Sequence, residues 1–332
     1  MRTSTVEGEA SVPDGLAIGI DIGGTKVAAG VVDEEGGVVA RAQAPTPGTS
    51  ATQVEDTIAG LIAQLTSDRE ASAVGIGAAG FVDDRGANVL FSPHLAWRHE
   101  PLRDAVAART GLAVTVDNDA NAAAWAEWRF GAGRGEPGLV CVNLGTGIGG
   151  GIVSGGGVYR GRFGLAGEFG HMQVVPDGRR CECGNRGCWE QYASGNALVR
   201  EARELVAAGS PTTQSLLERA GGDPSAIDGP LITDAARGGD PMAVELFGDI
   251  GRWLGVGIAN LAAALDPGMF VIGGGVSAAA ELLIGPARDS FRRSLTGRGF
   301  RPEATLVAAR LGNDAGLVGA ADLARLAVRE PR

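Results

Sequence analysis

Short apolar stretches broken by glycine fill LAIGIDIGGTKVAAGVVDEEGGVVARAQA, and this pattern predicts three strands joined by tight turns between Leu16 and Ala44. From Val54 the rhythm changes, because Val54, Ile58, Leu61, Ile62 and Leu65 recur at helical spacing. Strand character resumes at Ala73 to Ile76 and at Ala113 to Val116, around a second helix near Leu102. The same order then repeats. LVCVNLGTGIGGGIV opens another glycine-turn hairpin, followed by strands near Gly157 and Met172, a long helix from Met242 to Leu265 and a buried strand from Met269 to Ile272. A helix from Ala278, a strand from Thr305 to Ala308 and a last helix from Ala315 complete the pattern. Laying Ile18 on Val140 sets Asp21 against Asn143 and Gly23 against Gly145, so the chain reads as a duplicated βββαβαβα unit. Two α/β lobes with a cleft between them are expected: residues 16–130, joined by a C-terminal helix at 315–332, and residues 131–314, behind a leader at 1–15.

Composition narrows what such lobes do. Among 332 residues, 29 basic against 39 acidic side chains leave a net charge of −10, which disfavours a nucleic-acid partner. Fifty-five glycines without a collagen period mark turns where backbone approaches a ligand. The first fifteen residues are polar and carry no apolar segment, so they are not a secretory signal and a cytoplasmic location is expected. The uncharged stretch from Gly138 to Tyr159 is long enough to imitate a membrane span, but its glycines suit strands and turns, and no membrane partner is expected.

Candidate chemistry follows from residue type and place. Asp21 ends the first strand, and Gly23 and Gly24 let backbone amides approach an anion, with Thr25 or Lys26 to neutralise charge. Gly145, Thr146 and Gly147 form a second such turn. Each alone fits an ordinary hairpin; together they suit the phosphates of a nucleotide, with Asp21 holding Mg²⁺ through water. Neither is a P-loop or a Rossmann turn, since no GxxxxGK[ST] or GxGxxG opens a helix there. VDNDAN ends a strand and starts a helix, where Asp119 suits a general base for a sugar hydroxyl with Asn118 beside it, although a helix cap needs the same residue types. His171, Cys181, Cys183 and Cys188 offer one imidazole and three thiolates within a short glycine-bearing segment, the donor set of a closed, structural Zn²⁺ site in a knuckle at 171–190. Such a clamp would fix the neighbouring Glu168 and Glu190 toward a sugar, unless these two acids are simply solvated. Gly274 and Gly275 follow a buried strand, where adenosine could lie flat against backbone or a plain strand-to-helix turn could form.

IGIDIGGTK, VDNDANAAAWAE, NLGTGIGGG, GEFGH, CECGNRGCWE, VIGGGVS and GNDAGLVGAA stand in the order found in the ROK family of sugar kinases and repressors, and the resemblance spans nearly everything after the leader. It is closest to the ATP-dependent members that act on glucose. The resemblance implies the actin-like, ribonuclease-H-like ATPase fold, with the last helix returning to pack on the first lobe. It implies ATP-dependent conversion of glucose to glucose 6-phosphate with Mg²⁺, a zinc site at the four residues named, a base at Asp119, and sugar contacts from Asn118, Glu168, His171 and Glu190. Gly77, in GIGAAG, occupies the place of a sugar-side loop, and a homodimer or homotetramer is implied. Kinases for fructose, mannose, N-acetylglucosamine or N-acetylmannosamine, a polyphosphate-using kinase, and a sugar-responsive regulator are the alternatives. Repressor members carry a helix-turn-helix ahead of the core, for which fifteen residues are too few, and polyphosphate users typically lack the cysteine knuckle.

Overall fold

The computed structural model describes residues 15–47, 50–92, 95, 97–275 and 279–329. The chain folds as two compact units, one holding the chain up to Ala126 with Arg162–Gly164 and the chain from Gly316 on, the other holding Glu127–Gly161 and Leu165–Ala315.

In the first unit run β1 (Ala17–Ile22), β2 (Lys26–Val32), β3 (Val38–Pro45), α1 (Ala51–Leu65), β4 (Val74–Ala78), β5 (Phe81–Val82), β6 (Val89–Phe91), β7 (Arg98–Glu100), α2 (Leu102–Thr110), β8 (Val114–Asn118) and α3 (Asp119–Arg129). Its main sheet has the order β3-β2-β1-β4-β8, antiparallel through the hairpins and parallel from β1 through β4 to β8. β5, β6 and β7 form a separate small sheet whose strands are too short to leave a period in the sequence. The core gathers Ile18, Ile20, Ile22 and Val74 from the sheet with Ile58, Leu61, Ile62 and Leu65 from α1, the residues whose spacing predicts that helix.

The second unit continues with β9 (Gly138–Leu144), β10 (Ile148–Ser154), β11 (Gly157–Val158), α4 (Glu190–Ala193), α5 (Gly195–Ala207), α6 (Gln214–Arg219), α7 (Gly229–Arg237), α8 (Pro241–Leu265), β12 (Met269–Gly273), α9 (Ala280–Ser294) and β13 (Thr305–Ala308). Its sheet has the order β11-β10-β9-β12-β13, again a three-strand meander followed by two parallel neighbours. The uncharged stretch from Gly138 is therefore β9 to β11, and among the described residues no helix is long and apolar enough to cross a membrane.

One expected strand is corrected. Around Met172 there is only an isolated bridge between Gln173 and Cys188, because glycines at positive φ before and after it (Gly161, Gly164, Gly167, Gly184, Gly187) turn the chain too often for a ladder. The expected helix start at Ala278, with Val276 and Ser277, lies outside the described residues, as do residues 1–14 of the leader and 330–332 of the last helix.

The last helix, α10 (Ala315–Arg329), packs directly on β1 and β4. A side chain at Gly19 would stand 1.9 Å from the Leu317 carbonyl and one at Gly75 1.8 Å from that of Ala320, so only glycine admits the helix so close to the sheet. A buried ion pair locks it: Arg325 donates to Asp322 (2.7 Å) and to the carbonyls of Gly15 (3.1 Å), Val32 (2.8 Å) and Asp33 (3.0 Å), while Trp125 of α3 donates to Asp322 (2.8 Å). With four of the five N–H donors of Arg325 paired, losing either charge would strand the other and cost about 3–5 kcal/mol.

Candidate functional site

Parallel pairing assembles the first unit's candidates. Asp21 of β1 lies in register with Gly77 of β4, and Gly77 with Asp117 of β8, so three strand ends form one row. A Cβ on Gly77 would meet the Asp119 backbone at 3.5 Å, which places Gly77 beside the start of α3. The turn after Asp21 is closed by Gly23 N–H to the Lys26 carbonyl (3.0 Å), and Gly24, Thr25 and Lys26 are exposed. Asp21 itself is partly covered; its carboxyl faces Gly316 in the first turn of α10, where an added Cβ would stand 3.2 Å from it. Burial pushes the Asp21 carboxyl up to about 6, against an opposing pull from Lys26.

At the end of β8 the capping task falls to Asn118. Its Oδ1 accepts the N–H groups of Ala120 (2.9 Å) and Asn121 (3.1 Å), and its Nδ2 donates to the Gly80 carbonyl (3.1 Å). Among the described residues the second Nδ2 hydrogen takes no acceptor, so it can serve a ligand. Asp119, half-buried, accepts the Ala120 N–H (2.9 Å) with a single oxygen, Oδ1. Asp117 is a polar residue that sequence reasoning passed over. It is buried and accepts from Asn118 N–H (2.9 Å) and from Asn121 Nδ2 (3.1 Å), holding the strand-to-helix corner; the first aspartate of VDNDAN is its only trace in the sequence.

In the second unit the knuckle is a compact donor set. The ligand atoms of His171, Cys181, Cys183 and Cys188 all lie within 4.8 Å of one another, with His171 Nδ1 3.6 Å from Cys181 Sγ and Cys183 Sγ 3.6 Å from Cys188 Sγ. Tetrahedral zinc with Zn–S near 2.3 Å needs ligand atoms about 3.5–3.8 Å apart, which the two 3.6 Å pairs meet and the whole set approaches, and the donor types suit that ion. Burial raises the Cys181 and Cys188 thiols above their ordinary range, a cost that a divalent cation among them reverses. The loop itself depends on Gly187, at φ 75°, where a Cβ would stand 1.7 Å from the Val175 carbonyl. Trp189, fully buried, donates to the Trp253 carbonyl (2.8 Å) and so moors the knuckle to α8.

Glu190 opens α4 and ties three features together. Its Oε1 accepts from Cys181 Sγ (3.0 Å) and lies 3.5 Å from His171 Nδ1, while its Oε2 would stand 2.5 Å from a Cβ on Gly147. Glu168 is largely covered, and desolvation raises its carboxyl, with His171 pulling down and Glu190 pushing up. Because His171 turns Nδ1 to the cysteines, Nε2 is the nitrogen left to face a hydroxyl. The turn Gly145–Gly147 is closed by Gly145 N–H to the Gly147 carbonyl (3.0 Å). Gly274, at φ 83°, would drive a Cβ to 2.4 Å from the Leu144 carbonyl, so packing alone demands glycine there, whereas Gly275 faces open space.

Comparison with known proteins agrees over nearly the whole chain. The sequence description of the ROK family matches residues 17–327. A glucokinase of Streptomyces coelicolor is 51% identical over 94% of this chain and 98% of its own. An N-acetylmannosamine kinase of Escherichia coli is 35% identical over 93% and 98%. The crystal structure of a ROK family glucokinase from Streptomyces griseus in complex with glucose and AMPPNP superposes with a TM-score of 0.87 at 55% identity, covering 94% of this chain and all of that one.

Proposed function

The chain belongs to the ROK family, and from that premise we propose that it transfers the γ-phosphoryl group of ATP to the 6-hydroxyl of glucose, releasing ADP and glucose 6-phosphate. The observation that carries this reading is the likeness, from one end of the described chain to the other, to a glucose kinase held with its sugar and a nucleotide analogue. We read the matching order of the two main sheets as a duplicated, actin-like architecture whose lobes are residues 16–130 with 315–332 and residues 131–314.

The phosphates of ATP are held by backbone amides of the turns at Gly23–Lys26 and Gly145–Gly147, with Thr25, Lys26 and Thr146 at their edges. Magnesium, a hard cation that takes oxygen ligands, fits the partly covered Asp21 carboxylate through water; bound there with ATP it neutralises phosphate charge. Asp119 takes the proton of the sugar 6-hydroxyl as that oxygen attacks phosphorus. The remaining Nδ2 hydrogen of Asn118, the carboxylates of Glu168 and Glu190 and the Nε2 of His171 pair with the other hydroxyls, and Gly77 leaves room beside Asp119. Gly275 suits the adenosine. A zinc ion at His171, Cys181, Cys183 and Cys188 supplies rigidity, because four protein ligands leave no open position.

An ADP-release assay over glucose, mannose, fructose, N-acetylglucosamine and N-acetylmannosamine tests the reading, with the highest kcat/KM expected for glucose. The 35% likeness to an N-acetylmannosamine kinase makes that sugar the sharpest control. Higher kcat/KM with it would leave a kinase and remove glucose as its preferred substrate. Metal analysis of protein purified without added zinc should find about one equivalent per chain, and Cys183→Ser should lower the melting temperature and weaken glucose binding together.

A further inference from the structure

Both phosphate turns need their N–H groups aimed outward, and the structure contains a device that aims them. In the second unit, the carbonyls of Gly145 and Thr146 accept from Gly195 N–H (2.8 Å) and Asn196 N–H (3.3 Å) at the start of α5. A trans peptide sets its C=O and N–H on opposite sides, so drawing these two carbonyls toward α5 turns the N–H groups of Thr146 and Gly147 away from it. In the first unit, among the described residues, the turn is backed by Thr46 in place of a helix. There the Thr46 hydroxyl, just past β3, donates to the Gly23 carbonyl (2.8 Å), and the Thr46 N–H donates to the Thr25 carbonyl (3.0 Å). By the same geometry the Gly24 N–H points away from Thr46. Among the described residues no protein acceptor takes the N–H of Gly24, Thr146 or Gly147.

We propose that Thr46 is a positioning residue for nucleotide binding: its hydroxyl holds the Gly23–Gly24 peptide in the orientation that presents the Gly24 N–H to a phosphate oxygen of ATP. The inference rests on the phosphate reading of this turn. Thr46 touches no phosphate itself, which separates it from Lys26 and Thr25. It is also the one part of either device that a side-chain substitution can remove, since α5 acts through backbone amides.

The test compares Thr46→Val, which keeps the shape and the backbone bond but loses the hydroxyl, with Thr46→Ser, which restores it. Magnesium AMPPNP binding is measured by calorimetry, glucose and ATP KM by initial rates, and melting temperature without ligands. Thr46→Val should weaken AMPPNP and raise the KM for ATP by roughly 3- to 10-fold, the effect of one misdirected hydrogen bond, with glucose KM and melting temperature unchanged and with Thr46→Ser close to wild type. Nucleotide affinity equal to wild type in Thr46→Val overturns the proposal. So does a loss shared equally by glucose, nucleotide and melting temperature, which is the mark of a merely structural contact, or a Thr46→Ser variant as weak as Thr46→Val. Wild-type protein that binds no AMPPNP overturns the phosphate reading together with the inference, and is recognised before any variant is made.

Discussion

The two main sheets share one strand order, and comparing their ends shows where their polar groups differ. Asp21 pairs in register with Gly77, and Asn143 with Gly273, so the two rows correspond. One strand further the first ladder pairs Gly77 with Asp117, and the second, which pairs Ile272 with Ala308, brings Ala309 to the corresponding place. The first unit thus carries a carboxylate at two places where the second carries an amide and a methyl group. Of these, Asp21 is poorly hydrated, and burial pushes its carboxyl up to about 6. The second unit spends its polar groups on support: Asn143 accepts from the Cys141 thiol (3.4 Å), and its turn is braced by α5 and lies against Glu190. Two sheets of one strand order thus differ in the groups at their ends, acids in the first unit and neutral, internally braced groups in the second.

Moving the base across that divide should have the largest effect. Asp119→Asn, which gives the first unit's strand end a neutral side chain as the second has, should lower kcat by roughly 10²- to 10⁴-fold while nucleotide affinity is retained. Turnover near that of wild type in steady-state assays would remove Asp119 from the role of base. Next come the turns themselves. A Cβ at Gly145 meets nothing within 4 Å and one at Gly23 meets only the Lys26 carbonyl at 3.5 Å, so valine at either site should fold. Each substitution should raise the ATP KM by about tenfold with little change for glucose, because side-chain bulk intrudes where phosphate approaches backbone. A loss confined to one of the two would assign the phosphates to that turn alone.

The smallest effect tests the charge difference directly. Asp21 binds its proton more tightly folded than unfolded, so nucleotide- and magnesium-free protein should lose stability as pH rises through the window from 3.8 to about 6. Asp21→Asn, which copies Asn143, lacks that loss. Denaturant unfolding should show the variant gaining on wild type across this window, by on the order of 1–3 kcal/mol at pH 7. Parallel curves at all pH values would mean that Asp21 carries no such burden.

Much of this was legible in the sequence because it is local. Glycine turns between apolar runs mark the hairpins, helical spacing marks α1 and α8, and three cysteines close to a histidine mark the knuckle, since each signal lies within a few residues of the structure it makes. The short strands β5 to β7 and the helices α4 to α7 gave no comparable period, and the bridge at Gln173 imitates a strand only until its neighbouring glycines are given their φ angles.

Tertiary structure decided the rest. Asp21, Gly77 and Asp117 share a row only because parallel strands far apart in the chain settle into one register, which is fixed by burial on both sheet faces. Between Asn118 and Asp119, both competent helix caps by type, the choice fell on Asn118 through the hydrogen bonds that this corner offers, and Asp119 kept one oxygen clear of the Ala120 N–H. Glu190 became the link from the knuckle to Gly147, and Thr46 the brace of Gly23, through contacts that no spacing encodes. Sequence determines which groups are present and which local shapes are cheap; the pairing of buried polar groups, each needing a partner from a distant segment, determines what they do.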